Sequence, residues 1–111
     1  MTAVHRELAA GRWFEMSLIE QMANIGSEVE RTIAWRGRNE KNSTAAFERG
    51  LELLDLTIAD PRHRRRLREL TRLREALADY FVFDNGYHST DEAWRRYFHA
   101  FTYAAGLRRR R

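Results

Sequence analysis

Cysteine is absent from the 111 residues, and proline and lysine occur once each, at Pro61 and Lys41. The missing thiols exclude disulfides and thiolate-bound metal. One proline and six scattered glycines leave long helices uninterrupted and give little punctuation for strands. No apolar run nears the ~20 residues that a membrane-crossing helix needs. Met1 to Ala10 carries His5, Arg6 and Glu7 and lacks the apolar stretch of a signal peptide, so a cytoplasmic protein is the expectation.

Catalytic signatures are missing as well. A di-metal bundle needs inward glutamates with Glu-x-x-His pairs, and no Glu-x-x-His occurs here. His5, His63, His88 and His99 never fall at i, i+4 with one another. Asp60-x-x-His63 reads as a helix start rather than a ligand pair. There is no glycine-rich phosphate loop and no glycine-framed serine nucleophile. The expectation is therefore a non-enzymatic protein with no metal and no cofactor.

What is present is arginine and helical periodicity. Of the 20 cationic residues, 19 are arginine, and their distribution is uneven. Residues 1–61 hold 7 Lys/Arg against 10 Asp/Glu, while residues 62–111 hold 13 against 6. A net charge of −3 thus faces one of +7, an asymmetry that suits a polyanionic partner.

Four amphipathic segments follow. Ile19, Met22, Gly26, Val29 and Ile33 are spaced 3, 4, 3 and 4, which predicts a helix over about 11–35. Leu18 and Ile25 widen its apolar stripe, and Gly26 permits a close neighbour. After Gly37-Arg38, Asn39 is the N-cap of a second helix over about 40–59, with Phe47, Leu51, Leu54 and Ile58 on one face. Asp60-Pro61 combines an N-cap with proline at the first helical position. It opens a third helix over 61–83, with Leu67, Leu70, Leu77 and Phe81 inward, which ends at Asp84-Asn85-Gly86. Ser89 with Glu92 forms a capping box for a fourth over about 90–106, carrying Trp94, Phe98, Phe101 and Ala105. A frayed arginine tail, 107–111, follows. Short connections between four helices predict an all-α, up-down-up-down four-helix bundle in one domain. Two charges fall near the apolar stripes. Arg74 sits in the third, where a carboxylate of a neighbouring helix would pair with it, and Glu15 lies near the first.

Three surfaces are functional candidates. Arg62, Arg64, Arg65, Arg68 and Arg72 form a basic arc suited to phosphates. Glu69, Glu75 and Asp79 interrupt it. On the fourth helix Arg96, His99 and Tyr103 align, flanked by Arg95, a basic stripe with an aromatic that suits single-stranded RNA or DNA. Opposite the first seam lie Gln21, Asn24, Glu28, Arg31 and Trp35, with Trp13 and Leu56 near; amides and aromatics of this kind predict a protein interface, here a homo-oligomer or a partner enzyme. Two further readings are a pure protein-interaction module and a ribonuclease using Arg95 and His99. The latter pair has three intervening residues, whereas helical ribonuclease toxins carry four to six.

Met16-Ser-Leu-Ile-Glu-Gln-Met-Ala-Asn-Ile-Gly-Ser-Glu-Val29 and Glu52-Leu-Leu-Asp-Leu-Thr-Ile58 resemble segments of small prokaryotic four-helix proteins of unassigned activity. In length, basicity and helix count the chain also loosely resembles the accessory variability proteins of diversity-generating retroelements. That resemblance implies a pentameric bundle that helps a reverse transcriptase handle RNA, and it implies no particular site residues.

Overall fold

The computed structural model describes residues 11–109, so Met1 to Ala10 and the last two arginines of the tail lie outside the described residues. Four α-helices follow one another: α1 (Leu18–Trp35), α2 (Glu40–Ala59), α3 (Leu67–Phe81) and α4 (Asp91–Arg109). Short 3-10 segments, Trp13–Glu15 and Pro61–Arg66, precede α1 and α3. The described residues contain no strand.

Side chains satisfy the first free amides of α1, α2, α4 and the 3-10 segment Pro61–Arg66, whereas α3 follows that segment without a side-chain cap. Ser17 Oγ accepts from the Glu20 N–H at 3.2 Å, Asn39 from Asn42 at 3.0 Å, and Asp60 from Arg62 at 3.0 Å. Thr90 caps α4 by accepting from the Ala93 N–H at 3.1 Å. Two expected starts therefore move. The first helix begins at Leu18 and not near Gly11, because Ser17 is extended and Trp13 turns inward before it. The fourth is capped one residue later than Ser89, whose own N–H is held by Asn85 Oδ1 at 2.8 Å. The third expected helix divides at His63, which has non-helical backbone angles, so Pro61–Arg66 is a tighter turn. α3 ends at Phe81, two residues early, and α4 runs on to Arg109 through part of the expected tail.

α1 is the central element, packed against both α2 and α4. Met22, Ile25, Val29 and Ile33 are buried along it, as the seam requires. The buried side of α2 is offset from its large apolar residues. It consists of Ser43, Ala46, Gly50, Leu53, Leu54 and Thr57, small or polar at four of six positions, and Phe47 and Ile58 pack at its margin. On α3 the buried set is Leu70, Leu73 and Leu77, while Leu67 is exposed because the turn before it breaks the helical register. Trp94, Phe98 and Ala105 close the core from α4, with Phe101 half-buried. Burial of each large apolar side chain contributes about 1.5–3 kcal/mol.

The two stray charges find simple places. Arg74 is half-exposed and donates from Nε to Asp55 Oδ1 of α2 at 2.6 Å. Glu15, outside the helix, is exposed.

Two glycines lie at helix crossings with different tolerances. A Cβ on Gly26 would stand 2.8 Å from Phe98 Cβ, whereas one on Gly50 would stand 3.4 Å from Glu28 Cβ. Gly26→Ala should destabilise the fold by roughly 1–3 kcal/mol, the cost of overpacking. Gly50→Ala should be near neutral or stabilise by up to about 1 kcal/mol through helix propensity. Urea denaturation of both variants checks this; equal losses would contradict the crossing geometry.

Candidate functional site

The face of α1 expected to be an outer interface is largely internal. Trp13, Gln21 and Glu28 are buried, and each is held by polar contacts within the chain. Trp13 Nε1 donates to Thr57 Oγ1 at 3.1 Å. Gln21 Nε2 donates to the Trp13 carbonyl at 2.9 Å and to Asp60 Oδ2 at 3.2 Å. With both amide hydrogens so used, Gln21 Oε1 needs a donor, and His63 Nε2 lies 2.8 Å away. His63 Nε2 therefore carries a proton and donates it to Gln21 Oε1. Burial pushes the His63 pKa down; Asp60 opposes that, and Arg62 and Arg66 reinforce it. Asp60 is held well below the usual carboxylate range, first by the Arg62 guanidinium and against the effect of burial. Glu28 accepts from Arg31 and, at 2.9 Å, from Arg49 Nε of α2.

The remaining residues of that face are divided. Asn24 is exposed but bonds back to the Glu20 carbonyl at 2.8 Å, and Leu56 packs against the core margin. Trp35 is partly exposed, with the Arg38 guanidinium 5.8 Å from its ring centre. The expected single surface is thus split: Trp13, Gln21 and Glu28 are enclosed, while Asn24, Arg31 and Trp35 remain exposed.

The arginine arc is also sorted by pairing. Arg62 is committed to Asp60 at 2.7 Å and to the Met16 carbonyl at 2.6 Å. Arg66 reaches Glu69 at 3.5 Å. Arg64, Arg65, Arg68 and Arg72 are exposed and make no ion pair among the described residues. On α4, Arg95 forms a two-pronged pair with Glu30 of α1 at 2.9 and 3.1 Å. Arg96, His99 and Tyr103 are exposed, and the rings of His99 and Tyr103 are 6.4 Å apart.

Between α1 and α4 lies a cleft of about 530 Å³. Gly26, Val29, Ile33, Trp94 and Phe98 give it a buried apolar floor. Glu30, Arg31, Arg95 and His99 stand at its exposed rim. The Trp94 indole N–H is the one buried side-chain polar atom without a partner among the described residues. The cleft thus brings together Arg31, Arg95 and His99, which the sequence assigned to two different surfaces. Its position was not legible, because nothing in the periodicity of α1 or α4 states how they cross.

No protein-family model, curated protein or solved structure matches this chain. Its chemistry is accordingly read from its own residues. Among the described residues no three His, Asp or Glu side chains form a possible metal-holding group. No helix among them is long and apolar enough to cross a membrane.

A second anchor fixes α4. Asp91 accepts both Arg36 contacts at 2.7 Å and the Tyr80 hydroxyl at 2.5 Å. Burial raises the Asp91 pKa, but the Tyr80 and Arg36 hydrogen bonds outweigh it and leave the group lowered. The loop from α3 to α4 is tied by Asp79, which accepts from the Gly86 and Tyr87 amides at 2.8 and 3.0 Å. It leaves Phe83 71% and Tyr87 65% exposed. Neither residue lies on a helical seam, so the apolar periodicity does not mark them.

Because burial lowers the His63 pKa in the folded chain, the unfolded chain takes up this proton first on acidification. Stability should fall as pH drops below about 6.5, the ordinary histidine value. Denaturation at several pH values between neutrality and mild acid should show that fall in the native chain and a flatter profile in His63→Gln. Identical profiles would remove His63 from the account.

Proposed function

We propose that this chain is a non-enzymatic accessory protein whose up-down-up-down helical scaffold presents arginines to the phosphates of RNA or DNA. The observation that carries the reading is the unpaired state of Arg64, Arg65, Arg68 and Arg72. They are exposed within nine consecutive positions and carry no ion pair among the described residues. Guanidinium groups in that state lose no intramolecular partner on meeting a phosphate. The contrast with Arg62, Arg74 and Arg95, each matched to a carboxylate, narrows the binding surface to four residues of the arc. Arg96, His99 and Tyr103 supply a second exposed stripe, in which the 61%-exposed Tyr103 ring offers a face for an unpaired base. The short connections and the central position of α1 support the bundle topology. Assistance to a nucleic-acid enzyme such as a reverse transcriptase is the role that the accessory-variability likeness adds.

A protein-interaction module without nucleic acid is the second reading. Its support has moved from the covered face of α1 to the exposed Phe83 and Tyr87, aromatics of the kind that anchor interfaces. Self-association, if it uses an apolar surface, has that loop available.

Gel-shift titration of single-stranded RNA over a salt series tests the first reading. Four phosphate contacts give a log–log salt slope of roughly −3. Replacing Arg64, Arg65, Arg68 and Arg72 together by Gln should bring that slope toward zero. Arg74→Gln, which removes an arginine already paired, should change it by less than any single arc replacement. Absence of binding at low salt, or binding indifferent to the fourfold replacement, would leave the protein-interaction module as the better account.

A further inference from the structure

The α1–α4 cleft combines two kinds of surface that favour one class of small ligand. Its floor offers the aromatic side chains of Trp94 and Phe98. The charges beside it do not cancel. Arg95 is matched by Glu30, one against one. Glu28 is shared by Arg31 and Arg49, so two guanidiniums meet one carboxylate and one positive charge is left over. Arg31 is the member of that trio on the cleft lining, and its side chain is 56% exposed. His99 adds a ring nitrogen at the same rim. The volume, about 530 Å³, lies within the range of small-molecule sites. Trp94 also leaves its enclosed indole N–H uncommitted among the described residues, a cost that a fully settled structural wall would not carry.

We propose that this cleft binds a planar aromatic anion, its ring against Trp94 and Phe98 and its anionic group at Arg31. The site lies apart from the arginine arc, which belongs to α3 and the turn before it, and shares only His99 with the second stripe on α4. A carboxylate and a phosphate share the required chemistry, so the ligand is either a free aromatic acid or a nucleotide.

The test is a titration of the full chain followed through the tryptophan indole N–H signals in nitrogen–proton correlation spectra. Naphthoate and adenylate are the two anionic probes; naphthol and adenosine are their neutral counterparts. Saturable shifts of the Trp94 signal, with the Trp13 signal unmoved, are expected for at least one anion. Tighter binding of naphthoate assigns a free aromatic acid, and tighter binding of adenylate assigns a nucleotide. Arg31→Gln should weaken the anion by about fivefold and leave the neutral probe unchanged. Arg72→Gln on the arc should leave both unchanged. Thr102→Phe, which fills the exposed rim without touching the charge trio, should abolish the shift, and an unmoved Trp13 signal certifies the fold of each variant. The proposal is overturned if neither anion saturates by low millimolar concentration. It is equally overturned if the neutral probes bind as tightly, or if Arg31→Gln or Thr102→Phe binds as the native chain does.

Discussion

The side-chain amide of Gln21 has two hydrogens and one oxygen, and together they join α1 to two other stretches of the chain. One hydrogen reaches the Trp13 carbonyl ahead of α1, the other reaches Asp60 between α2 and α3, and the oxygen faces His63. Trp13 completes the circuit through its indole to Thr57. In a fully buried position each of these groups would cost about 1–3 kcal/mol if left unpaired. The network is therefore satisfied as a whole or not at all, and it sets where the Trp13 segment lies and how the α2–α3 turn meets α1. The same condition explains the tight turn at Pro61–Arg66: a regular helix from Pro61 would not carry the non-helical angles at which His63 turns in to Gln21.

Charge is distributed by the same logic of matched partners. Arg36 ties the end of α1 to Asp91 at the start of α4, Arg74 ties α3 to Asp55 on α2, and Arg95 ties α4 to Glu30 on α1. Partly exposed pairs of this kind are worth about 0–1 kcal/mol each, so they orient the helices more than they stabilise them. Their larger effect is subtraction. Among the described residues, the excess positive charge of the second half rests on the arginines that no carboxylate meets, four of them on the turn before α3 and its first turns and the others, Arg96, Arg108 and Arg109, along α4.

Much of the helical order was legible because seams and caps are local. Met22, Val29 and Ile33 were placed correctly from spacing, and Asn39 and Asp60 from capping chemistry. The start of α1 was legible too: Ser17-x-x-Glu20 is a capping-box pattern, and the Glu20 amide does bond to Ser17. A bound at about residue 11 runs past that cap and past the extended Ser17 backbone. Burial of Gln21, Glu28, Ser43 and Thr57 was not legible, since a polar residue enters a core on the strength of partners distant in sequence. Gln21 and Asp60 are 39 residues apart, and Trp13 and Thr57 are 44 apart. The exposed arginines of the candidate surface were read by type and position, but which of them were free depended on Asp60, Asp55 and Glu30.

The loop between α3 and α4 bears on how this protein behaves in concentrated solution. Asp79 pins its backbone, so Phe83 and Tyr87 cannot readily fold inward to escape water. Two outward aromatics make molecules weakly adhesive to one another, while a net charge of +4 keeps them apart. Salt screens the second effect and leaves the first, with a screening length near 10 Å at about 0.1 M. Colloidal stability should consequently be greatest in dilute buffer and decline as ionic strength rises.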